Sequence, residues 1–224
     1  MARREQRARS GGGLIVDAAQ FDAALWALGR GTGVVALVAL TLSVVLGILT
    51  RSGRPLAGLP RFSVTLLHRN LSLIACVFVL VHIVSLFFDS FAQLTLLDLV
   101  VPFFGSFLPF WQGLGTVAVD LLIAVMVTAL LRNRVGLRTF RAVHWLVYAM
   151  WPIALAHGIG NGTDGTSPWF LWLAALCTVL VAGAVAWRLS GRFVEYSAAR
   201  MPAGAAAAAP AAPAATRSPS RELR

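Results

Sequence analysis

Four histidines carry the most evident chemistry in this 224-residue chain, and there are no others. His68 and His82 stand fourteen residues apart in the apolar run HRNLSLIACVFVLVH, and His144 and His157 stand thirteen apart in HWLVYAMWPIALAH. On a helix those separations are about 21 Å and about 20 Å. Fourteen residues is close to four turns, so His68 and His82 share a face to within about 40°. Thirteen residues leaves His144 and His157 about 140° out of register, and Pro152 between them is expected to kink or rewind the helix and correct the aim. Imidazoles are axial ligands of haem iron, and ligands on two facing membrane helices can hold a porphyrin between them. Pairing at matching depth puts His68 with His144 and His82 with His157, giving two bis-imidazole sites about 20 Å apart. Filled axial positions leave no place for oxygen, so the pattern points to electron transfer. Zinc or copper needs three or four ligands within about 2 Å of one ion, which residues so far apart along a helix cannot supply. A single membrane histidine is as readily explained by a hydrogen bond to a neighbouring helix, but four in two spans at matching depths weigh against that reading.

The elements that must position them are membrane helices. The chain is 58% hydrophobic and 12% charged, with mean hydropathy +0.77, a balance that excludes an ordinary water-soluble domain. Five runs suffice to cross a bilayer core of about 20 apolar residues, near Gly31–Thr50, Val64–Phe88, Gly113–Leu131, Ala142–Gly160 and Trp169–Trp187. The expected fold is all-α, a polytopic membrane bundle of five transmembrane helices with interfacial helices. A sixth apolar stretch, Phe91 to Phe110, is broken by Asp98, Pro102, Gly105 and Pro109 and reads as a loop with a short helix on the membrane surface; a re-entrant or sixth span is the alternative. Residues 14–30 read as an interfacial amphipathic segment leading into the first span, and residues 31–190 as the haem-binding transmembrane domain. The basic, glycine-rich residues 1–13 and the Ala/Pro-rich residues 191–224 read as disordered tails.

The net charge of +10 comes from arginine alone, since lysine is absent. Those arginines fall between apolar spans and not on one soluble face, so membrane topology explains them and nucleic acid does not. Arg51, Arg54, Arg61, Arg132, Arg134, Arg138, Arg188 and Arg192 lie on one side, whereas the loops 89–112 and 161–168 carry only Asp89, Asp98 and Asp164. The positive-inside rule makes the arginine side cytoplasmic, the N-terminus outside and the C-terminus inside; Arg3, Arg4, Arg7 and Arg9 run against it. Arg69, Arg138 and Arg141 flank His68 and His144 and suit inner haem propionates, with simple anchoring an equal reading. Arg30 is the outer candidate. Asp120, within the third span, is either hydrogen-bonded to a neighbour or part of a proton relay. Phe78, Trp145, Tyr148 and Trp151 could pack on porphyrins or merely fill the core. Cys76 and Cys177 read as buried small hydrophobes. Residues 160–165, GNGTDG, match a GxGxxG pattern but follow a membrane helix and not a strand, which reads as a flexible turn and leaves no visible nucleotide domain.

On His68 with His82, His144 with His157, and the HRN and RxxHW contexts of Arg69 and Arg141, residues 25 to 190 resemble the ferric reductase-like transmembrane domain family. This is the membrane module of ferric reductases, NADPH oxidases and the haem-binding subunit of the periplasmic methionine sulfoxide reductase. The resemblance implies two b-type haems on those four histidines. It also implies a multi-pass protein of a bacterial plasma membrane, with an outer-face acceptor that is ferric iron or a periplasmic redox partner. The donor is then a separate flavoprotein or quinol, with flavin or NAD(P)H only on that partner. A methionine sulfoxide reductase-type subunit is the alternative of the same class, and a non-redox scaffold or transporter subunit that of a different class.

Overall fold

The computed structural model describes residues 18–52, 58, 60–92, 94–191 and 193. The tails expected at 1–13 and, apart from residues 191 and 193, at 191–224 lie outside these residues, as do Arg54 and Arg192. The described residues form seven helices and no strand: α1 Ala18–Ser52, α2 Arg61–Phe87, α3 Leu96–Val100, α4 Pro109–Leu130, α5 Arg132–His144, α6 Val147–Asn161 and α7 Pro168–Leu189. α1, α2, α4 and α7 are long and apolar enough to cross a membrane, and α5 with α6 makes a fifth span if the bent pair is counted as one. The fold is thus the all-α polytopic bundle that composition implies.

α1 has 35 residues, about 52 Å against a hydrocarbon core of about 30 Å. From Ala18 onward the expected interfacial segment continues into the span without a break. Glycines weaken an isolated helix, but here they admit neighbours: a Cβ on Gly29 would meet Leu86 at 2.8 Å and one on Gly33 would meet His82 at 2.9 Å. α2 begins after the extended Pro60. The loop between α2 and α4 holds the short α3, whose Thr95 and Asp98 form a reciprocal capping box. Pro109 does not end a segment; it stands in the first turn of α4, where its missing N–H costs nothing.

α1 packs along α2 and also reaches α6 and α7, while α4 packs on α5 and α6. Ile48, Ala75, Met150, Trp151 and Cys177 share one buried cluster. Outward faces carry large apolar side chains such as Leu80, Trp172 and Val179, as lipid contact requires. Cys177 is buried and Cys76 half-buried, its Sγ 3.7 Å from Met126 Sδ.

The expected role of Pro152 is not what the structure shows. α6 runs through Pro152 as continuous helix, and the break falls at Trp145–Leu146. There φ/ψ are −65°/−23° and −62°/−17°, and amide N–H groups donate three residues back: Leu146 to Val143 at 2.9 Å, Tyr148 to Trp145 at 3.1 Å and Ala149 to Leu146 at 3.0 Å. This is a 3₁₀ tightening. Each such residue advances about 120° instead of about 100°, so the tightening reduces the deficit. α5 and α6 meet at 49°.

Candidate functional site: two crossed imidazole pairs

The four imidazoles come together as two pairs. The His68 and His144 ring centroids are 6.4 Å apart with planes at 84°, and those of His82 and His157 are 6.3 Å apart at 82°. Ligands therefore come from α2 on one side and from α5 or α6 on the other. The backbones of α2 and α6 are not among the closely packed pairs.

Three rings are locked by backbone carbonyls. The Nδ1–H of His68 donates to the Ser43 carbonyl at 2.9 Å, that of His82 to Gly29 at 2.7 Å and that of His157 to Trp111 at 2.8 Å. A carbonyl only accepts, so Nδ1 carries the proton and Nε2 keeps its lone pair for a metal. Ser43 and Ser72 brace the first ring: their hydroxyls are 2.6 Å apart, and Ser72 donates to the His68 carbonyl at 2.7 Å. The Nδ1 of His144 is buried and has no partner, while Phe140 packs on its ring at 5.2 Å.

Glycines make room for these rings. A Cβ on Gly33 would meet His82 Nδ1 at 2.9 Å, on Gly47 His68 Cε1 at 3.2 Å, and on Gly115 His157 Cε1 at 2.6 Å. Gly33 and Gly47 are fourteen residues apart, the same interval as His68 and His82. Around the His82–His157 pair lies a cavity of about 610 Å³, lined also by Arg30, Asp89, Gln112 and Asp164, a size usual for a cofactor site.

The family resemblance implies haem at these positions, and the residues fit it. An imidazole nitrogen binds a metal at about 2.0–2.1 Å; with about 1.1 Å from that nitrogen to each ring centre, two imidazoles on one iron need about 6.2 Å between centroids. Both pairs meet that span, three Nε2 atoms are left unprotonated by the carbonyl bonds at Nδ1, and the His82–His157 pair lines a cavity. Among the described residues no three His, Cys, Asp or Glu side chains group as a site for a metal ion.

The other expected residues divide. Arg30 lines the cavity but is ion-paired with Asp164 and stacked over Trp26 at 4.0 Å, its Nε buried without a partner. Arg69 and Arg138 are exposed and Arg141 is half-buried. Asp120 is exposed on α4. Trp151 is buried at mid-depth and donates Nε1–H to Thr41 Oγ1 at 3.0 Å. Of residues 160–165, expected as a turn, Gly160 and Asn161 close α6 and the others form the turn; a Cβ on Gly160 would run into Trp111, and Gly165 is buried. Sequence reasoning missed Arg51 and Arg188 as site residues. Arg51 lies one turn beyond Gly47 on α1; Arg188 Cζ stands 4.7 Å from the Trp145 ring centre and 5.6 Å from that of Tyr148. Both lie within electrostatic reach of His144. Their only sequence signal is position at helix ends, which topology already explained.

The family model described as "Ferric reductase like transmembrane component" matches residues 32–155. That is more than half of the chain; it includes His68, His82 and His144 and ends two residues before His157. No curated protein and no solved structure matches. The matched length settles the family: this chain of membrane helices and paired imidazoles belongs to the ferric reductase-like transmembrane components.

Proposed function

We propose that this chain is a b-type cytochrome of a bacterial plasma membrane, with one haem held by His68 and His144 and a second by His82 and His157. Its family is one of membrane electron-transfer modules that generally bind haem. The observation that carries the reading is the pair of crossed imidazole couples at 6.4 and 6.3 Å, with three of the four Nδ1 atoms tied to backbone carbonyls. Bound haem would supply a one-electron carrier at each end of the bundle. The chain's own part is orientation and insulation. The carbonyls of Ser43, Gly29 and Trp111 hold the tautomer that leaves Nε2 unprotonated. Ala75, Thr41 and Trp151 are buried midway between the pairs and keep water from the path.

The arginine-bearing ends of α1, α5 and α7 are cytoplasmic in this reading, with the N-terminus outside and the C-terminus inside. Electrons come from a separate flavoprotein or quinol and leave to an outer-face acceptor, ferric iron or a periplasmic redox partner. Arg30, on the outer cavity wall, and Arg69 and Arg141, beside His68 and His144, serve as propionate partners.

The test is a dithionite-minus-ferricyanide spectrum with pyridine haemochrome quantification, on the wild type, His82→Ala and His144→Ala in detergent. Low-spin b-type bands at two haems per chain, with one lost in each variant, are expected. A colourless protein after expression with ample haem would leave the histidines as bridges between helices in a scaffold or transporter subunit.

A further inference from the structure

Ser43 departs from its neighbours on α1. Thr41 and Thr50 donate to carbonyls four residues back, Leu37 and Leu46, each at 2.8 Å, the usual way for a helix to satisfy a hydroxyl in an apolar setting. Ser43 reaches across to α2 instead: its Oγ lies 2.6 Å from Ser72 Oγ and 3.4 Å from His68 Nδ1.

A count of protons fixes the direction of each bond, since a hydroxyl has one to give. That of Ser72 goes to the His68 carbonyl at 2.7 Å. The contact between the two hydroxyls is therefore donated by Ser43. Ser43 Oγ then has only lone pairs to turn toward His68, whose Nδ1–H is already aimed at the Ser43 carbonyl. One N–H is shared between two oxygens of the same residue, and the chain closes on itself: His68 to Ser43 Oγ, Ser43 to Ser72 Oγ, Ser72 to the His68 carbonyl. Each donor in such a chain polarises the next, and Ser43 is buried.

The other pair has no counterpart. Gly29 stands fourteen residues before Ser43, as His82 stands fourteen after His68. Gly29 offers His82 its carbonyl and no hydroxyl, and a Cβ there would meet Leu86 at 2.8 Å and Ser85 Oγ at 3.2 Å. Ser85 donates to the His82 carbonyl at 2.9 Å, as Ser72 does to that of His68, but has no second hydroxyl to orient.

An acceptor at Nδ1–H makes an imidazole a more basic ligand and favours the oxidised iron. We propose that Ser43 is a positioning residue for the His68 ligand: its hydroxyl, oriented by Ser72, holds the ring plane and lowers the midpoint potential of the haem on His68 and His144, and of that haem alone. The inference rests on the two-haem reading and goes beyond it.

The test is redox potentiometry of the α-band on the full chain in lipid nanodiscs, with electron paramagnetic resonance of the oxidised protein, whose low-spin g values report how the axial ring planes are set. His144→Ala and His82→Ala, each left with one haem, assign the two waves, and the serine variants made in the His82→Ala background read the His68 haem by itself. Ser43→Ala should move its wave to higher potential and shift its low-spin signal. Ser72→Ala should act in the same direction, while Ser72→Thr, which keeps a hydroxyl, should not. Because Ser72 works through Ser43, the double variant should match Ser43→Ala. Ser85→Ala should leave both waves in place. An unmoved wave in Ser43→Ala, movement of the other wave by any serine variant, or a full further shift from Ser72→Ala in the double variant would overturn the proposal and leave a two-haem cytochrome intact. Should Ser43→Ala lose this haem, Ser72→Ala against Ser72→Thr decides alone. A colourless wild type would remove the cytochrome reading and this inference together.

Discussion

An imidazole can offer either nitrogen to a metal, so the choice must be made by whatever holds the other one. In this chain three helix-backbone carbonyls make it, and glycines let the rings come close enough for them to do so. A methyl group at Gly33 or Gly115 would have to push His82 or His157 off its acceptor, because the approach distances of 2.9 and 2.6 Å leave no slack. Gly33→Ala and Gly115→Ala are therefore expected to lose the haem of the His82–His157 end and keep the other, with overpacking of about 1–3 kcal/mol behind the loss. Gly31→Ala, with nothing within 4 Å of the added carbon, should keep both; haem-to-protein ratios on the three variants check this. The histidines were legible from type and spacing alone. Their carbonyl partners were not, since nothing in a sequence says which turn of α1 faces which turn of α2. The interval of fourteen shared by Gly33, Gly47, His68 and His82 was the available clue.

Spans that depend on composition were readable to within a few residues: α2, α4 and α7 lie close to the apolar runs that announce them. The bend that aims His144 was not. The sequence around it, HWLVY, has no glycine or proline, and the visible proline six residues beyond the break sits in unbroken helix because a membrane helix tolerates one whose freed carbonyl finds other partners. Pro152→Ala is thus expected to leave haem content unchanged. Deleting one residue from the 3₁₀ segment, Leu146 for instance, should rotate everything beyond it by about 100° and abolish at least the His82–His157 site. The same haemochrome assay reports both. A deletion that retained two haems would show that α6 is not phase-locked to α5.

At the scale of the whole molecule the charges are divided end from end, with described carboxyl groups about one imidazole pair and Arg51 and Arg188 about the other. If the positive-inside rule governs, a cysteine replacing the exposed Thr166 should react with an impermeant maleimide in intact cells, and one replacing the exposed Arg134 only after permeabilisation; the reverse pattern would invert the topology. The helices also divide another way. α1 packs with α2, and α4 packs with α5 and α6, while each imidazole pair takes one ring from either group. A haem bound at either site would then bridge α2 to α5 or α6, and its binding energy would add to that of the contacts α1 already makes with α6 and α7. On the two-haem proposal, haem supply would therefore add to the stability of a newly inserted bundle whose helices already share one buried cluster.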